Sequence, residues 1–252
     1  MTNFSTRKSN LFIILAGFFV CNAVLAEIIG VKIFSGETTL GLPPAQIPLL
    51  GSFVLDFNLT AGAIIWPVVF VITDLINEYY GKDGVRKLSI LTAVLISYVF
   101  IVIWFATSLP PADFWLEINK TDRAGNAFNI NTAFSTLFGQ GLGIIIGSIT
   151  AFLLAQLLDA FIFQKLRERT GEKMIWLRAT GSTVVSQVLD SFLVLFIAFY
   201  LFGNWKMEQV IAVAIINYIY KLVMAVLLTP LIYLAHHYID KYLEKEKSLK
   251  SK

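Results

Sequence analysis

Cysteine and histidine are nearly absent from this chain, and charge is scarce. Its 252 residues include one cysteine, Cys21, and two histidines, and only 15% are Asp, Glu, Lys or Arg. A single thiol cannot close an internal disulfide. His236 and His237 have no cysteine pair or third histidine to complete a zinc site, so neither a metal nor a cofactor is expected. There is no Walker sequence, so the chain carries no ATPase of its own. HExxH and G-x-S-x-G are missing too, which leaves enzyme chemistry without support. A net charge of +3 is too small to point to nucleic acid. A soluble domain of this size carries about a quarter charged residues.

Apolar residues fill the space instead. They make up 57% of the chain and come in long blocks, with a mean hydropathy of +0.73. A helix that crosses a bilayer needs about 20 such residues. Six stretches qualify: Leu11 to Ile29, Leu59 to Ile76, Leu88 to Ala106, Phe138 to Leu158, Thr183 to Phe202 and Val210 to Leu234. They are continuously apolar, which fits helices and not the alternation of a barrel. The expected fold is all-α, a polytopic membrane protein with six transmembrane helices. Arg7 and Lys8 precede an apolar run that continues to about Ile29, and no small-residue cleavage site is followed by a soluble domain, so that run reads as the first span and not a signal peptide.

Basic residues fix the direction. Arg7, Lys8, Lys82, Arg86, Lys87, Lys165, Arg167, Arg169, Lys173, Arg178, Lys241, Lys245, Lys247, Lys250 and Lys252 fall on one side, fifteen in all. Four fall on the other: Lys32, Lys120, Arg123 and Lys206. Both termini are therefore expected in the cytoplasm. The organisation is a tail over 1–10, one six-helix domain over 11–235 and a basic tail over 236–252. Outer loops are expected near 30–58, which is rich in Gly and Pro (Gly51 among them), and near 107–131, with one short helix in the latter.

Polar residues inside the spans cost free energy in lipid, so they face the bundle interior or a cavity. Asp74, Asn77 and Glu78 share one helical face at the end of the second span. The fourth span carries Gln156 and Asp159, and the fifth carries Gln187 and Asp190, within the matching strings Gln-Leu-Leu-Asp-Ala-Phe and Gln-Val-Leu-Asp-Ser-Phe. A Gln and an Asp three apart can grip the edge of a planar polar molecule, or can join helices by hydrogen bonds. Asn217 and Lys221 lie mid-way along the sixth span, where Lys221 is placed to pair with Asp190. Asn22 and Glu27 sit in the first span, Glu27 as an entrance group or as half of a pair with Lys32. Trp66 can stack on a ring, and Pro67 beside it is expected to kink the second span.

The stretch Trp66-Pro-Val-Val-Phe-Val-Ile-Thr-Asp-Leu-Ile-Asn-Glu-Tyr-Tyr-Gly-Lys82 resembles the signature of the queuosine precursor transporter family, also called vitamin uptake transporter-like. Asn22 to Lys32, Gln156 to Arg167 and Ser186 to Ser191 are similar to it as well. The segment from Thr107 to Asn131 is longer than in many members. The resemblance implies uptake of 7-deazaguanine bases across the bacterial inner membrane for salvage into tRNA. The residues expected to bind substrate, from their chemistry and their place in the spans, are Asn22, Glu27, Trp66, Asp74, Asn77, Glu78, Gln156, Asp159, Gln187, Asp190, Asn217 and Lys221. Carboxylates suit the amine and ring N–H groups of such a base, and a glutamine amide suits its carbonyl. The expected partners are a nucleobase-like small molecule and the lipid bilayer. An ATPase partner, a homo-oligomer, an intramembrane enzyme and an assembly protein stay open as alternatives.

Overall fold

The computed structural model describes residues 6–49, 53–139, 142–171 and 174–250. Gly51, Lys173 and Lys252, used in the sequence argument, lie outside them, as do residues 1–5 of the N-terminal tail and residues 140–141 in the predicted fourth span. Among the described residues, five helices are long and apolar enough to cross a membrane: α1 (Thr6–Ile29), α3 (Trp66–Ser108), α6 (Leu142–Thr170), α7 (Ile175–Leu195) and α8 (Met207–Lys250). Three short helices complete the set: α2 (Gly36–Thr39), α4 (Asp113–Ile118) and α5 (Ile130–Phe138). Large apolar side chains cover the outside of the long helices as well as the inside. Ile13, Phe18, Val94, Trp104 and Leu227 are all well exposed. Such surfaces are stable against acyl chains and not against water, so this is a multi-pass membrane protein.

The 43 residues of α3 would span about 64 Å as a straight helix, twice a bilayer core. They do not run straight. Gly81 has φ 71° and ψ −177°, a conformation that a side chain would oppose. The ring of Tyr80 meets that of Phe12 near the start of α1, with centroids 4.9 Å apart. At the other end of this leg, a Cβ on Gly62 would come within 2.5 Å of the Ala26 carbonyl, so the approach to α3 packs directly on the end of α1. Beyond Gly81 the chain returns, and Ile96 and Phe100 cluster with Ala23. The helix is thus a hairpin of two legs folded at Gly81. The matching sequence expectation was two spans around a basic loop.

Several boundaries differ from expectation. The second predicted span begins at Leu59, but Asn58–Thr60 is a strand and Ala61–Ile64 a 3-10 turn. Pro67 therefore lies in the first turn of α3, where its missing N–H leaves nothing unpaired, and it does not kink a span. Arg178, assigned from sequence to a basic loop, is inside α7 and fully buried. Helix α6 continues to Thr170, so Asp159 lies mid-helix. A π-helical turn, Phe196–Leu201, follows α7. A Cβ on Gly147 would meet Ala198 N and Ile197 Cβ at 3.1 and 3.2 Å, which lets α6 and this turn approach closely.

The segment after α1 forms a small cap. Strand β1 (Ile33–Ser35) pairs antiparallel with β4 (Asn58–Thr60), and β2 (Ile47–Leu49) with β3 (Phe53–Leu55). Glu37 holds the cap together. Its carboxylate accepts from Phe57 N at 2.7 Å, Ala45 N at 3.3 Å and the Ser35 hydroxyl at 2.9 Å. The Phe57 N–H, first, and these other donors keep the carboxyl below its ordinary range. The segment between α3 and α5 holds the one expected short helix, α4, and a turn in which Asp122 accepts from Ala124 N and Asn126 N.

Candidate functional site

A cavity of about 120 Å³ lies under the cap, between the end of α1, the start of α3 and the halves of α6, α7 and α8 nearest the cap. Glu27 enters it from α1, Trp66 from α3, Ser148 and Phe152 from α6, Asp190 and Ser191 from α7, and Asn217 and Lys221 from α8. Gly30, Gly62 and Ala63 bring bare backbone to one wall. Five helices thus contribute polar or aromatic groups to one hollow.

The charges in the cavity are arranged. Lys221 Nζ forms an ion pair with Asp190 Oδ2, as the sequence placed them. Both side chains are largely buried, so each would be costly alone. Glu27 accepts a hydrogen bond of 2.5 Å from the Ser148 hydroxyl. This carboxylate faces the cavity and is not half of a local pair with Lys32. Asn217 spends its amide N–H on Val213 O at 2.9 Å. The Ser191 hydroxyl is buried at the wall and has no hydrogen-bond partner among the described residues. Trp66 is held between Phe70 and Phe152, with both centroids 6.0 Å away. Two carboxylates, one ammonium, three hydroxyls (Thr60, Ser148 and Ser191), an amide and an indole therefore surround the same space.

A second hollow of about 260 Å³ adjoins the first and shares Thr60, Leu195, Phe199 and Asn217 with it. It runs beneath β4 to Trp205 and Gln209. Trp205 stacks on Phe199 at 4.4 Å.

The other half of the bundle is packed. Thr73 donates to Gln156 Oε1 at 3.3 Å, and Ser186 donates to Asp159 Oδ1 at 3.0 Å. Gln164 donates to Asn77 Oδ1 at 2.7 Å. Glu78 lies between Arg178 at 2.7 Å and Arg167 at 3.3 Å, joining α3, α6 and α7. Arg178 also donates to Gly171 O at 2.5 Å. Tyr79 donates to Asp240 at 2.7 Å and meets His236 Nδ1 at 2.8 Å, which ties α3 to the far end of α8. The hollow beside Asp74 is only about 10 Å³. That is at the limit for one water and too small for a ligand.

Twelve residues were expected to bind substrate. The structure brings Glu27, Trp66, Asp190, Asn217 and Lys221 into one cavity. It places Asp74, Asn77, Glu78, Gln156, Asp159 and Gln187 in or beside the packed layer, outside that cavity's lining. Asn22 faces elsewhere and donates to Phe18 O at 2.8 Å. The cavity takes Glu27 from the first span but not Asn22. Ser148 and Thr60 were missed because a lone hydroxyl in an apolar run is unremarkable, and Ser191, visible beside Asp190, was not counted among the binding residues. Arg178 was visible as a cation at the edge of an apolar run, but a boundary error hid it.

Comparison with known proteins adds to this geometry. A family model described as "Putative vitamin uptake transporter" matches residues 60–235. A Bacillus subtilis (strain 168) protein named "Probable queuosine precursor transporter" is 28% identical over 184 residues, covering 71% of this chain and 73% of that protein. The Escherichia coli (strain K12) "Queuosine precursor transporter" is 27% identical over 177 residues, covering 69% and 70%. No solved structure matches the chain.

Proposed function

The chain belongs to the vitamin uptake transporter family, and from that premise we propose that it imports a queuosine precursor, a 7-deazaguanine-type base, across the bacterial cytoplasmic membrane. The names of its relatives support the substrate class. The cavity is the observation that carries the reading. It gathers Glu27, Asp190, Lys221 and Trp66 from four different helices. A deazaguanine presents an amine and ring N–H donors beside a carbonyl. Glu27 or Asp190 accepts from the donors, Lys221 donates to the carbonyl, and Trp66 covers a ring face.

In this reading the bundle crosses the membrane six times, with α3 supplying two crossings and both termini in the cytoplasm. The fifteen-to-four distribution of basic residues supports that orientation. The cavity then opens outward through the adjoining hollow, and the packed layer closes the cytoplasmic side. Alternating access requires that layer to part. Asp74, Asn77, Gln156, Asp159 and Gln187 would line the exit and meet substrate only then. The Glu78–Arg178–Arg167 cluster would be the latch. The chain acts as a carrier and not as an enzyme, and it works without an ATPase partner.

Reconstitution of the purified chain alone into liposomes tests this. Radiolabelled 7-aminomethyl-7-deazaguanine should accumulate relative to empty liposomes, and excess unlabelled base should abolish the signal. Uptake only after an ATPase is added would replace the carrier reading with the subunit reading. No uptake under either condition, with correctly folded protein, would remove the substrate assignment.

A further inference from the structure

A groove on the outside of the bundle, remote from the cavity, lies between the second leg of α3 and the middle of α6. It has a volume of about 360 Å³ and is lined by Lys82, Asp83, Arg86, Leu157, Ala160 and Phe161. Lys82 and Arg86 are four apart and share a helical face. Neither has a carboxylate within 4.0 Å among the described residues. Lys165 adds a third cation, its ammonium 5.8 Å from the centre of the Phe161 ring. Asp83 is the one acid in the lining, so the groove carries a net positive charge. Its floor is apolar. Phe161 is 58% exposed and Leu157 37%.

The depth of this groove also matters. Gly81 is the turn of a membrane hairpin, and such turns belong at the bilayer surface. Arg86 is about 8 Å along the helix from that turn, at the boundary of headgroups and acyl chains. The cations therefore lie at phosphate depth, with apolar side chains below them. We propose that this groove is a binding site for an anionic phospholipid. The phosphate diester pairs with Lys82 and Arg86, and an acyl chain lies along Leu157 and Phe161. A free phosphate ion would satisfy the cations but leave that apolar floor uncovered. The inference does not depend on the transported substrate.

Native mass spectrometry of the purified full-length chain tests it, with equimolar phosphatidylglycerol and phosphatidylcholine of identical acyl chains. Wild type should retain one phosphatidylglycerol per chain, at least fivefold in preference to phosphatidylcholine. The double variant K82Q/R86Q should lose that preference. R123Q/K206Q, which removes the same charge elsewhere, should keep it. Phe161→Ser should lower retention with the cations intact. No preference in wild type, or an undiminished preference in K82Q/R86Q, would overturn the site. So would displacement of the lipid by millimolar inorganic phosphate, which would make the site one for the free anion.

Discussion

Around Asp190 the bundle leaves a hollow of about 120 Å³, and around Asp74 one of about 10 Å³. Both aspartates lie on apolar helices, and both have carboxamide neighbours three or four residues away in sequence or space. The difference lies in what fills the gap between helices. Beneath the cap Gly30, Gly62 and Ala63 present little bulk, so polar or aromatic groups from five helices face a common space. Around Asp74 Thr73, Gln164, Arg178 and Ser186 reach across to Gln156, Asn77, Glu78 and Asp159 and fill the space between the helices, although Asp159 Oδ2 and Gln187 Oε1 have no hydrogen-bond partner among the described residues. Similar side chains line a hollow in one place and fill the space between helices in the other.

The matching strings on α6 and α7 sharpen this lesson. Asp159 accepts from Ser186, next to Gln187, whereas Asp190 is one turn further on and pairs with Lys221. The two helices pack against each other along their lengths, and each copy of the string meets different neighbours. Asp159 belongs to the packed layer and Asp190 to the cavity. Sequence likeness between the copies therefore does not give them one role.

The largest expected effect on transport comes from breaking the cavity's ion pair. Asp190→Asn should reduce uptake about 100-fold, equal to about 2.7 kcal/mol, with the protein still inserted. Uptake normalised to membrane protein checks it, and near-normal uptake would move the site elsewhere. Arg178→Ala should act on stability instead. Removing one partner of a buried pair costs about 3–5 kcal/mol, so the midpoint of thermal unfolding should fall sharply, and a Thr183→Cys reporter beside it should become reactive to thiol reagents. Glu27→Gln should raise KM about 10-fold, about 1.4 kcal/mol, and leave stability near wild type. Gly81→Ala should cost about 1 kcal/mol or more, because the new side chain is strained at φ 71°; differential scanning of the purified protein reads this. Glu37→Gln should have the smallest effect, loosening the cap alone. Because the Glu37 carboxyl titrates below its ordinary range, its contribution is present at neutral pH. It should fade only as pH falls through that lowered value.

Much of the architecture was legible in the sequence. Long apolar runs gave the helices, the Gly and Pro content of residues 30–58 excluded a long helix there, and Lys221 and Asp190 could be paired because neither tolerates lipid alone. The types of the site residues were legible for the same reason. Their grouping was not. A sequence places residues on a helical face, but depth depends on where the helix begins. Starting the fifth span at Thr183 left Arg178 in a loop, although α7 begins at Ile175. That shift concealed the group that closes the layer around Glu78. Pro67 misled in a similar way, since an imino acid reads alike in the first turn of a helix and in its middle.

Site-directed thiol labelling compares the two halves most directly. In a Cys21→Ala background, Ser191→Cys reports on the cavity and Thr183→Cys on the packed layer. An impermeant thiol reagent added from the outer side should modify the first and not the second, and the precursor base should protect Ser191→Cys. Equal labelling at both positions, or labelling of Ser191→Cys that the base leaves unchanged, would contradict a ligand site in the outer hollow above a closed inner layer.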